Sequence, residues 1–150
     1  MTLNEWLQIL CAFIGSLAFG ILFNVRKWRL IFAGIGGLLS WALFIVLSEF
    51  IQNEPINYFI VALIVSIYAE IMARVLKTPT TTFITTSLIP LIPGGSLYYT
   101  MAYAFESNSE MFASKALYTL ELASALALGI IVAATATKIY FKFKSKFIRK

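Results

Sequence analysis

The residues from Ile89 to Thr100 read IPLIPGGSLYYT, with Pro90, Pro93, Gly94 and Gly95 inside a run otherwise apolar enough to cross a membrane. Proline has no N–H, so in a helix Pro90 leaves the carbonyl of Thr86 without its partner, and Pro93 does the same to Ile89. Each proline also pushes its predecessor toward extended geometry. Gly94 and Gly95 then permit backbone angles that other residues avoid. Freed carbonyls at Thr86 and Ile89 favour a cation. A helix restarting around Gly94–Ser96 turns its first N–H groups toward the break and favours an anion. A zwitterion with both charges a few ångströms apart matches such a pair of ends. The competing reading is a proline kink fitted by neighbouring helices.

Other candidate groups are few. Glu70 and Glu121 fall inside apolar blocks, where burial raises a carboxyl pKa and makes a proton carrier. Glu70 has Arg74 one helical turn away, which favours an ion pair at the cytoplasmic edge of the membrane over proton carriage. Glu121 has no basic residue at helical spacing. Tyr98 is close enough to the break to line a site, and Thr80, Thr81, Thr82, Thr85, Thr86 and Ser87 bring hydroxyls to one approach. Those hydroxyls equally suit helix capping and interhelical bonds. The chain has no His and no Asp, and its one cysteine, Cys11, lies in an apolar block. Ser-His-Asp catalysis, His-ligated zinc and Asp-rich metal sites are thereby excluded. No cofactor is expected, and no enzyme constellation is visible.

The elements that must position these groups are helices in a bilayer. Of 150 residues 60% are hydrophobic and 13% charged, with a mean hydropathy of +0.85. Roughly 45–50% and about 25% are usual for soluble domains. Spanning takes about 20 helical residues. Five blocks qualify, near Trp6–Phe23, Leu30–Phe50, Tyr58–Ala73, Thr82–Tyr103 and Ala116–Lys138, the third being the shortest. The expected fold is a single all-α integral membrane domain over residues 1–150, with five transmembrane helices, the fourth interrupted by Pro and Gly. The opening MTLNEW has no cationic n-region, so the first block reads as a retained span.

Charge sets the expected orientation. Arg26, Lys27, Arg29, Arg74, Lys77 and the tail cations Lys138, Lys142, Lys144, Lys146, Arg149 and Lys150 share one side of this topology; Lys115 stands on the other with Glu5, Glu49, Glu54, Glu106 and Glu110. The positive-inside rule puts the N-terminus outside and the C-terminus in the cytoplasm. The net charge of +5 therefore reads as a topology signal, with the basic tail 139–150 attracted to anionic lipids and not to nucleic acid. The tail is also expected to lie along the membrane surface. Small residues at four-residue spacing, among them Gly129, Ala133 and Thr137, suit close helix approach, within the bundle or toward another subunit.

The stretch TPTTTFITTSLIPLIPGGSLYYTM resembles the signature of the bacterial threonine/serine exporter family, in its carboxy-terminal five-span half. The matching positions are Pro79, Phe83, Pro90, Pro93, Gly94, Tyr98 and Met101, and FNV at Phe23–Val25 also fits. The resemblance implies proton-driven export of threonine and serine across the bacterial inner membrane, by antiport. It also implies a larger five-span partner subunit carrying the amino-terminal half, with homo-oligomers an alternative. Some split relatives are associated with succinate export, so a dicarboxylate exporter is one rival expectation. A non-transporting structural subunit is another. The expected substrate site comprises Thr86, Ile89, Pro90, Pro93, Gly94, Gly95, Ser96 and Tyr98, with Glu121 or Glu70 coupling protons.

Overall fold

The computed structural model describes residues 2–148, and side chains as far as 143. Arg149 and Lys150 of the basic tail lie outside the described residues. The described chain is helical, with no strand among the described residues. Helix α1 covers Leu3–Leu22, α2 Trp28–Phe50, α3 Glu54–Val75, α4 Thr80–Leu88, α5 Gly94–Phe105 and α6 Ser109–Ile148. A 3-10 turn, Ile89–Leu91, follows α4.

Local chemistry explains several of these limits. Asn53 caps α3 by accepting from the Ile56 N–H at 3.2 Å, and Pro55 sits in the first turn where its missing N–H costs nothing. The helix therefore begins four residues before the apolar block at Tyr58, and α3 is a full-length 22-residue helix, longer than that block. Helix α6 continues without a break through Lys138 into the basic tail as far as Ile148, so the tail is a direct extension of the last helix. Tight connections put Asn24, Lys27, Lys77 and Ser107 at positive φ.

Helix α4 is the centre of the bundle, wedged between α2 and α3 with α1 beside it. It buries Phe83, Thr86, Ser87 and Leu88. Around its amino-terminal half pack Ala33, Ala69 and Ala73; around its end Tyr58, Val61, Val65, Leu91 and Leu122 form the larger core. Small residues create the room. A Cβ on Gly36 would overlap Ser87, and one on Gly37 would overlap Ser16, so α2 approaches α4 and α1 through bare backbone. Gly129, Ala133 and Thr137 of α6 are buried, and Gly129 abuts α3, which assigns that stripe to packing within the chain. Ala123 and Ala127 of the same helix face outward.

Buried polar groups stitch the seams. The Asn57 amide donates to the Phe44 carbonyl at 3.1 Å and to Ser48 Oγ at 2.8 Å, and the Tyr68 hydroxyl donates to the Phe32 carbonyl at 2.9 Å. Each of these bonds joins α3 to α2. At the end of the bundle carrying the basic loops, an Arg29 guanidinium N–H donates to the Leu76 carbonyl at 3.2 Å, bringing the α1–α2 and α3–α4 connections together.

Candidate functional site

Between α4 and α5 the chain closes around its two prolines with short-range backbone bonds. The Ile89 carbonyl, expected to be freed by Pro93, accepts the Ile92 N–H at 3.1 Å. The Ile92 carbonyl accepts the Gly94 N–H at 2.6 Å, around Pro93 at φ −73° and ψ 58°. That is an inverse γ-turn. The Ile89 carbonyl is therefore not left free as the sequence suggested. Leu97 N–H then bonds the Pro93 carbonyl at 3.0 Å, closing the first turn of α5. The amides of Gly95 and Ser96 stand in that turn, where a helix supplies no acceptor of its own.

The glycines of this turn serve a purpose different from the one expected. Neither Gly94 nor Gly95 has positive φ, so no unusual backbone angle calls for them. A Cβ at either would meet nothing within 4 Å. Their small size keeps open a cleft of about 360 Å³ beside the turn.

The cleft is lined on one wall by Pro90, Ile92, Pro93, Gly94, Gly95, Ser96 and Tyr99. Opposite stand Glu54 and Tyr58 of α3, Lys115, Tyr118 and Leu122 of α6, and Trp41 of α2. The Tyr118 hydroxyl donates to a Glu54 carboxylate oxygen. The Lys115 ammonium lies 5.7 Å from the centre of the Tyr118 ring. One anion and one cation thus flank the same aromatic ring. On the α5 side Ser96 Oγ is 2.7 Å from Thr119 Oγ1, and Thr100 Oγ1 is 3.1 Å from it, so hydroxyl bonds hold α5 against α6. Trp41 is oriented by donating its indole N–H to Gln8 Oε1 at 3.2 Å.

Of the residues expected at the site, Pro90, Pro93, Gly94, Gly95 and Ser96 come together here. Thr86 does not line the cleft: it is fully buried in α4 and donates to the Thr82 carbonyl at 2.9 Å. Ile89 is half-buried in the 3-10 turn. Tyr98 is 68% exposed and turned outward, and its neighbour Tyr99 lines the cleft instead. Glu70 is buried at the opposite end of α3 and ion-paired with Arg74 at 3.3 Å; the Arg74 guanidinium also stacks 4.0 Å over the Phe141 ring. Glu121 is exposed on α6, next to the cleft-lining Leu122.

Glu54, Lys115, Tyr58, Tyr99, Tyr118 and Trp41 were missed as site residues. Lys115 carried a signal, being the lone cation on its side of the expected topology. Glu54 carried none, because only packing of α3 on α6 brings it opposite residues some 40 to 60 positions away. A second, wider hollow of about 590 Å³ lies at the end of the bundle with the basic loops, lined by Arg26, Lys27, Trp28, Arg29 and Lys77.

Helices α1, α2, α3 and α6 are long and apolar enough to cross a membrane. An all-helical bundle with such helices and a polar cleft among them defines a multi-pass membrane protein. The sequence profile described as "Threonine/Serine exporter, ThrE" matches residues 8–136. The chain therefore belongs to the threonine/serine exporter family, a family of transporters and not of enzymes. No curated protein and no solved structure matches it.

Proposed function

We propose that the chain is a subunit of a secondary transporter that exports threonine and serine across the bacterial cytoplasmic membrane, with proton entry driving export. The observation that carries this reading is the cleft beside Pro90–Ser96, in a chain of the exporter family. Helix α4, the turn and α5 together act as one interrupted span, giving five spans. The loops with Arg26, Lys27, Arg29 and Lys77 face the cytoplasm, as does the carboxy-terminal tail, where the cations meet anionic lipid. The cleft then opens toward the outer half of the bilayer.

Helix α5 packs chiefly on α6, leaving one side of the cleft uncovered. Irregular backbone at membrane depth is tolerated only under protein or beside a water-filled cavity. A larger five-span subunit, or a second copy, supplies the missing wall. Of the two carboxylates considered for proton coupling, Glu121 is the better placed, because Arg74 already occupies Glu70.

A second reading, dicarboxylate export, draws on the hollow with four cations at the basic end. Inverted vesicles carrying the chain, with and without its larger subunit, separate the two. Gradient-dependent accumulation of labelled threonine and serine is expected. Accumulation of succinate in their place would overturn the substrate, and no accumulation in any well-inserted combination would overturn the transport reading.

A further inference from the structure

We infer that Glu54 and Lys115 form a charge clamp that makes this cleft selective for a zwitterionic amino acid over a dicarboxylate. The inference rests on the transport reading of the same cleft and extends it to named residues.

Glu54 stands in the first turn of α3 and Lys115 near the start of α6, and both reach the wall opposite Gly94–Ser96. They are the two formally charged side chains among the lining residues. Tyr118 lies between them, bonded to the carboxylate through its hydroxyl and placed near the ammonium through its ring. The carboxylate thus meets the ring's hydroxyl and the ammonium its face, and each charge keeps capacity for a ligand. Lys115, together with the first-turn amides of α5, offers an anion site for an α-carboxylate. Glu54 offers an acceptor for an α-ammonium. In the turn the Ile89 and Ile92 carbonyls each already accept a backbone N–H, and Glu54 adds the full negative charge that they lack.

Selectivity follows from the sign of the second charge. A dicarboxylate that places one carboxylate at Lys115 sets the other against Glu54, and like charges brought close together repel. A zwitterion satisfies both walls. Glu54 therefore both attracts the ammonium and excludes a second carboxylate, while Lys115 attracts the first.

The test measures binding of labelled threonine to membranes carrying the wild-type chain with its larger subunit, and to Glu54→Gln, Lys115→Gln and Tyr118→Phe variants. Competitors are succinate, threonine methyl ester, which lacks the carboxylate charge, and 3-hydroxybutyrate, which lacks the ammonium. Insertion level and melting temperature in detergent verify that each variant folds. Glu54→Gln is expected to weaken threonine by about tenfold or more while strengthening succinate, as loss of one charge-assisted bond implies. Lys115→Gln is expected to weaken threonine and 3-hydroxybutyrate alike but to spare the methyl ester. Tyr118→Phe gives a smaller loss of the same pattern.

Threonine binding at wild-type strength in both charge variants would overturn the clamp while leaving threonine transport intact. Stronger binding of succinate than threonine by the wild type would overturn clamp and substrate together. A uniform loss for all four compounds in well-folded variants would also overturn it, since shape and not charge would then be at work.

Discussion

Gly129 of α6 lies directly on the backbone of Phe59 in α3: a Cβ there would stand 2.7 Å from the Phe59 carbonyl oxygen and 2.8 Å from Ala62 Cβ. Neither neighbour can move without shifting α3. Gly129→Ala is therefore expected to destabilise by about 1–3 kcal/mol, the usual range for overpacking. Gly94→Ala, where the Cβ meets open space, should leave the melting temperature unchanged or slightly raised. Thermal unfolding of both variants in detergent measures the contrast, and equal destabilisation would show that the α3–α6 seam is not close-packed.

The same open space lets the proposed role of the α5 turn be tested by filling it. Gly94→Leu projects into the cleft beside Pro93 and Ser96. It should reduce threonine transport several-fold or more at normal insertion, as measured in inverted vesicles. A variant that transports like the wild type would move the substrate path elsewhere.

Glu70 is 4% exposed while the Arg74 side chain beside it is 40% exposed. Removing the arginine strands a buried carboxylate, whereas neutralising the glutamate strands only a group that can reach water. Arg74→Met should therefore destabilise by about 2–4 kcal/mol, toward the lower part of the range for a broken buried pair, and Glu70→Gln by less. Denaturation monitored by circular dichroism ranks the two. The reverse order would mean that Glu70 is solvated in the membrane.

Glu121 is the proposed proton carrier. If it carries the proton, Glu121→Gln should transport threonine down its own gradient while losing most of the stimulation by a proton gradient. Flux measured with and without an uncoupler separates those two quantities. Full retention of the stimulation would remove Glu121 from the coupling path.

Ser87 Oγ is buried against Gly36 and has no hydrogen-bond partner. Ser87→Ala removes that unsatisfied group and is expected to be neutral or stabilising, by up to about 1 kcal/mol. A clear loss of stability would reveal a partner for the hydroxyl, such as a trapped water.

Much of this architecture was legible in the order of residues. Long apolar blocks, the separation of Arg and Lys from Glu, and the punctuation at Pro79, Pro90 and Pro93 are local properties, and they bring helices and turn to the right places. Local reasoning also foresaw the Glu70–Arg74 pair, because four residues on one helix are neighbours by geometry. It misjudged the turn itself. Whether the Ile89 carbonyl stays free depends on how the chain closes after Pro90, and a 3-10 bond closed it. It missed Glu54 and Lys115 for a different reason. Their proximity to Gly94–Ser96 exists only because Gly129 and Ala133 allow α6 to pack on α3, and Ser96, Thr100 and Thr119 pin α5 to α6. Pattern and charge along the chain were enough for the elements and the turn. Contact between elements, which depends on side-chain volume at distant positions, selected the residues that face the cleft.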